Sequence, residues 1–397
     1  SGSSGDHDLS IRCRWSVFVL EKIFTPHLCA YNEDIQDLAF PTSAQVPPIL
    51  PPAQHEDYPP DLYNAYNCKE DCGITAYYIK MISLSGQVTS WLRLIRLGKH
   101  EIPWSPESRY ARLVAKAYEC DAQLPACHLL RNVAFSKRSP DDISRHREYW
   151  IPWILMQVVC HASLSLLNHP FIHLVAVRNG SKGSQSGLFL QNTMDSAIFN
   201  SRWVFRFLRL CDDLQLELYD PLIAHLVAAV ATIPWLLQFV EDEKLSQEVS
   251  RDLSWCKEYL RRSTTVWPHI SQKLDSLQRL DLITDHYHKS PSEKLGGVTF
   301  PPSLLWELLS PEICLMKQSQ NSQGGQQISN SRGMPDARIR ITTHLTHPLT
   351  ESQPDEPILN ANIRTDSWGF FDPYAIEEMN VDDLLASFAS GMSGMEF

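Results

Sequence analysis

Residues 164–174 read LSLLNHPFIHL and set His169 and His173 four apart, the spacing at which two imidazoles on one helical turn could hold zinc. Pro170 stands between them, and its missing amide and its ring clash break a helix there. No Glu follows His169 as the metalloprotease pattern requires. The stretch therefore reads as a hinge between two buried helices, with the Asn168 and His169 side chains capping backbone groups at the break. The other chemistry-bearing groups are weaker. Cys68 and Cys72 in CKEDC have no second Cys or His pair beside them in sequence, which zinc thiolate sites normally carry. His286 and His288 in DHYH are two apart, so on a helix they point to different sides. The GSKGSQSG stretch at 180–187 lacks the Gly-Lys-Ser/Thr ending of a phosphate loop, and no Gly-x-Ser-x-Gly elbow occurs. Arg202, Arg206 and Arg209 form a basic stripe. The apolar Trp203, Phe205, Phe207, Leu208 and Leu210 around it suit an exposed edge paired with Asp212 and Asp213 better than a DNA groove. No residue is assigned a catalytic, cofactor-binding or metal-ligating role.

These residues belong to a chain of 397 residues, 43% hydrophobic, with a formal charge of −11. That is enough apolar matter for a sizeable core. The charge offers no whole-chain attraction to phosphate backbones or anionic lipid. Ten cysteines without a paired framework suit reduced thiols. Residues 222–240 are about long enough to span a bilayer, but His225, Pro234 and Gln238 interrupt them and no basic flank orients them, so they read as buried helix.

The elements that must position these groups are helical. Residues 1–9 read as a loop or an appended cloning remnant running straight into a helix. Apolar residues at 11, 15, 18, 19 and 23 then make a helical stripe. Seven prolines in residues 40–61 exclude helix and central strand, giving a long surface connection centred on 41–60. A helix closes at Gly98, and another starts with Ser105 as N-cap and Pro106 at its first position. A third begins at Ser139-Pro140 with two aspartates, wet in its charged first half and buried in its apolar second half. No alternating strand pair or repeat is legible. The fold class is all-α, a multi-helix bundle over residues 10–290. Residues 291–365 read as a low-complexity linker, with an apolar island at 301–316 that docks back as a helix.

The last 32 residues, 366–397, hold seven acids, six aromatics and no Lys or Arg. Acids keep Trp368, Phe370, Phe371, Tyr374, Leu384, Leu385 and Phe388 solvated, so the segment can stay unfolded until it folds onto an apolar groove of a partner. VDDLLASF would supply the amphipathic helix. It reads as an expected activation segment that docks on transcriptional coactivators, the alternative being a tail that docks on its own body or does nothing.

Several landmarks together resemble the middle homology region of fungal binuclear zinc-cluster transcription factors. They are RCRWSVFVLEKIF with YNEDIQDLAFP, LIRLGKHEIPWSPESRY, CHLLRNVAFSKRSPDDISRHREYWIPWILMQ, CHASLSLLNHPFIHL and YDPLIAHLVAAVATI. The resemblance covers roughly residues 10–290. It implies a helical regulatory domain of that type, a nuclear protein that regulates transcription, and homodimerisation as a possibility. It also implies that zinc and DNA are bound only by an N-terminal six-cysteine module, an arrangement not found in these residues, so that the chain begins partway through the domain. The alternative is a co-regulator with the same helical body and no DNA-binding module. No cofactor and no membrane contact are expected of this chain.

Overall fold

The computed structural model describes residues 3–24, 38–48, 71–99, 101–179, 187–239, 243–289, 298–311 and 337–339. The protein is all-α in architecture. Its helices are α1 (Ser3–Phe24), α2 (Ile74–Arg96), α3 (Arg109–Ala122), α4 (Leu130–Val133), α5 (Pro140–Arg145), α6 (Arg147–Leu167), α7 (Pro170–Asn179), α8 (Gly187–Asp213), α9 (Pro221–Val230), α10 (Thr232–Leu237), α11 (Glu243–Thr264), α12 (Ser271–Lys289) and α13 (Pro302–Leu309). Two three-residue strands, β1 (Val298–Phe300) and β2 (Ala337–Ile339), pair antiparallel with Val298 opposite Ile339. No strand pair was expected from sequence, because three residues are too few for alternation to register.

The axis of the bundle is α6. Its residues from Trp153 to Leu167 are all buried, so it is apolar all round as a central helix must be. It packs on α2, α8, α9 and α3, while α1 lies against α2, α10 and α12 against α11, and α13 against α12 and α9. Arg147–Val175 is apolar and long enough to cross a bilayer, yet 89% of its apolar window is buried by the rest of the chain. The run from 222 to 239 divides at Ala231 into α9 and α10, both buried.

Several helix ends follow the sequence reading. Gly98, at φ 79°, ends α2: its amide donates to Ile95 O at 2.9 Å and that of Lys99 to Leu94 O at 2.9 Å. This is a Schellman closure that a Cβ-free residue favours. Ser139 caps α5 by accepting the Asp142 amide at 3.2 Å, with Pro140 at the first position.

Other ends differ. The first helix begins at Ser3, so residues 3–9, expected as loop, are helical. Arg12 bonds Asp8 at 2.7 Å one turn back, and the Asp8 carboxylate also accepts the Thr42 amide at 3.1 Å. The N-cap of α3 is Ser108, which accepts the Ala111 amide at 3.0 Å, rather than Ser105. Glu101 adds a second cap by accepting the Arg109 amide at 2.7 Å. The Ser105-Pro106 segment is a turn instead, closed by Ser108 N–H donating to Ser105 O at 3.0 Å. The run from 139 to 167 also breaks once, at His146, between α5 and α6.

The linker boundary also moves. Expected to begin at 291, the linker gives way to the body again at β1 and α13, where Phe300, Leu304, Leu305, Trp306, Leu308 and Leu309 join the same core. The island does dock as a helix. Lys273, almost fully buried on α12, donates to the carbonyls of Glu307, Leu308 and Ser310, satisfying the orphan acceptors at the C-terminus of α13.

Candidate functional site

Among the described residues, one buried cluster brings three metal-ligand-type atoms together, where the segment before α2 meets the turn before α4. Asp71, Cys127 and His128 offer a carboxylate, a thiol and an imidazole within 4.8 Å of one another, all buried. His128 Nε2 lies 2.7 Å from Asp71 Oδ2, and Cys127 Sγ lies 3.9 Å from the same oxygen. His128 Nδ1 is 2.9 Å from the Tyr149 hydroxyl on α6.

Local backbone chemistry fixes each donor. Asp71 Oδ1 accepts the Gly73 amide at 2.8 Å, an Asx-type turn that enters α2. Gly73 sits at φ 87°, and a Cβ there would overlap Ser43 Oγ, so only glycine permits the turn. Gln45 Nε2 donates to Asp71 O at 2.9 Å and Ile74 N–H to Ala44 O at 2.9 Å, tying residues 43–45 to the start of α2. Cys127 and His128 lie in a 3-10 turn, held by Trp153 Nε1 donating to His128 O at 2.8 Å. Burial pushes the Asp71 pKa up, but the His128 hydrogen bond and the Gly73 amide outweigh it and hold the carboxyl below its ordinary value. Tyr77 is also close. Burial, with Cys72 and Asp71 nearby, raises its phenol pKa.

No local spacing could have revealed this cluster. Asp71 sits inside the CKEDC stretch, and its partners arrive from more than fifty residues away in sequence. Of the two cysteines in that stretch, Cys72 is half-buried and Cys68 lies outside the described residues.

The hinge at 168–170 is as read, with one exchange of roles. Asn168 Nδ2 donates to Leu164 O at 2.9 Å and its Oδ1 accepts the Tyr110 hydroxyl at 2.8 Å. His173 Nε2 donates to Leu167 O at 2.9 Å and thus caps the end of α6, the part assigned to His169. His169 Nε2 instead donates to Thr232 Oγ1 at 2.8 Å, reaching α10. Burial pushes the His169 pKa down to about 3, with His173 nearby adding to it, and that of His173 down to about 4. Both act as neutral packing residues.

The arginine stripe is paired differently from expectation. Arg202 bonds Glu248 at 3.1 Å and Arg209 bonds Asp252 at 2.6 Å, both on α11, while Arg206 lies over the Trp203 ring. Asp212 is taken by Arg262 at 2.9 Å. The stripe therefore fastens α8 to α11 across the bundle, which sequence spacing within one helix cannot show. His286 is exposed on α12, and the His288 side chain lies outside the described residues. So do 180–186 of the GSKGSQSG stretch, and so do Trp368, Phe370, Phe371, Leu384, Leu385 and Phe388.

Among the described residues, the clefts open to solvent include two small ones. One, about 70 Å³, is lined by Trp91, Ile95, Glu101, Arg109 and Tyr110. The other, about 210 Å³, is lined by Arg147, Ile151, Leu155, Leu218, Tyr219 and Asp220. Both fall below the roughly 300–1,000 Å³ of ordinary small-molecule pockets. Comparison with protein-family models, with curated proteins and with solved structures yields no match to this chain.

Proposed function

We propose that this chain is the regulatory part of a fungal sequence-specific transcription factor, with DNA binding supplied by a zinc-cluster module outside these residues. The observation that supports the reading is a pairing: a helical body carrying the five landmark segments in order, and an acidic, aromatic C-terminal segment with no basic residue. Such a body offers packed helical faces for intramolecular or dimeric contacts. The C-terminal segment offers aromatic and leucine anchors that acids keep in water until an apolar groove takes them. On folding against such a groove, Leu384, Leu385 and Phe388 would anchor an amphipathic helix, supported by Trp368, Phe370 and Phe371. On this reading the protein works in the nucleus, and coactivators are its direct partners.

The test is a fusion of residues 366–397 to a heterologous DNA-binding domain beside a reporter. The fusion activates the reporter, and the combined Leu384→Ala, Leu385→Ala and Phe388→Ala change lowers activation at equal protein level. A silent fusion overturns the activation function.

A further inference from the structure

We propose that Asp71, Cys127 and His128 form a structural zinc site that joins the segment ahead of α2 to the turn ahead of α4. Three observations carry it. First, the donor set is one carboxylate, one thiol and one imidazole converging within 4.8 Å. The soft thiolate and the borderline imidazole beside one carboxylate suit zinc over calcium or magnesium, which take oxygen ligands.

Second, the spacing is near that of a tetrahedral face. Bonds of roughly 2.0 Å to nitrogen and oxygen and 2.3 Å to sulfur put N···O at about 3.3 Å and S···O at about 3.5 Å. The corresponding separations here are 2.7 Å and 3.9 Å. Shifts of about half an ångström in each therefore admit an ion. The Gln45 carbonyl oxygen, 4.0 Å from Cys127 Sγ, lies beside the cluster as a fourth, oxygen-bearing group.

Third, the outer shell is already built. Metal-ligating histidines hydrogen-bond through their second nitrogen, and ligating carboxylates are hydrogen-bonded in turn. His128 does so to Tyr149 at 2.9 Å, and Asp71 Oδ1 to the Gly73 amide at 2.8 Å.

Charge fits the burial. A thiolate and a carboxylate together cancel the charge of Zn²⁺, so the loaded site is neutral where an isolated ion would be costly. Binding releases the Cys127 thiol proton to solvent, leaving the sulfur electron pair for the metal. His128 changes tautomer, so that the proton on Nε2 now sits on Nδ1, and that N–H donates a hydrogen bond to the Tyr149 hydroxyl oxygen. No electron is transferred. The site departs from the expectation that zinc belongs only to a module outside these residues, and it stands independently of the transcriptional reading.

The test measures metal in the full chain purified from zinc-supplemented cells. The expected content is about one zinc per chain. It drops at least tenfold in Cys127→Ala, which keeps a small apolar group, and in Asp71→Asn, which keeps a hydrogen-bond partner for His128. Helicity by circular dichroism shows that each variant is folded. Cobalt substitution of the unmutated chain gives a thiolate-to-cobalt charge-transfer band in the near ultraviolet, a readout independent of whether either variant folds. The proposal is overturned if the unmutated chain carries no zinc and shows no such cobalt band, or if a folded Cys127→Ala chain keeps its zinc. In either case the cluster is a hydrogen-bonded lock only.

Discussion

Gln215 shows how a single residue's backbone can be out of keeping with its type. It ends α8 at φ 54°, with its amide donating to Asp212 O at 3.1 Å and the Leu216 amide to Cys211 O at 2.8 Å. The left-handed position of this closure costs a residue bearing Cβ roughly 1 kcal/mol relative to glycine. Because Gln215 is exposed, Gln215→Gly is expected to raise stability by about 1 kcal/mol in urea denaturation. The buried histidines make a second prediction. Burial lowers the pKa values of His161 and His173 to about 4, and those of His169 and His225 to about 3, from the ordinary 6.5. The unfolded chain therefore binds more protons below pH 6.5. The stability these residues contribute is fully present above that pH and is lost as pH falls from 6.5 toward the folded values. The unfolding free energy should drop between pH 7.5 and 5.5 by on the order of 1 kcal/mol per histidine, read from urea denaturation. His169→Gln, which keeps a donor toward Thr232, should flatten that drop. A stability unchanged over this range would contradict the neutral, buried assignment.

Among the elements, α13 depends most visibly on one side chain. Lys273 is buried to serve three carbonyls, and Glu307 holds α13 again from the side through Arg279 at 2.6 Å and Ser276 at 2.8 Å. Replacing the ammonium leaves those acceptors buried without it, so Lys273→Met should cost about 2–3 kcal/mol. Limited proteolysis should then cut near residues 298–311 before the helices around α6. Equal protection in the variant would show that apolar contacts alone hold α13. The sequence made the docking of this island legible, because Leu304, Leu305, Trp306, Leu308 and Leu309 are too apolar for a linker. Hidden was the lysine that anchors it, since nothing in the Lys273 neighbourhood marks it as buried. The same contrast holds elsewhere. Pro170 announced the hinge, and Ser139 with Pro140 announced a helix start. Yet the exchange of roles between His169 and His173, and the pairing of Arg202 and Arg209 with α11, depend on tertiary contacts that no local pattern encodes. Asp71, Cys127 and His128 belong to this hidden class: a turn set by Gly73 and a 3-10 turn set by Trp153 bring them together.

The whole molecule divides by composition. A body organised around α6 buries its aromatic and aliphatic residues in one core, and the segment from 366 to 397 combines aromatics with acids and carries no cation. On the proposed reading the body serves regulation and the acidic, aromatic segment serves capture by an apolar groove. The most direct test compares two chains fused to the same heterologous DNA-binding domain, one with all 397 residues and one ending at Thr365. Reporter activation by the full chain and its loss in the shortened one, at equal abundance, are expected. Equal activation by both, or none from the full chain and from residues 366–397 alone, would contradict it.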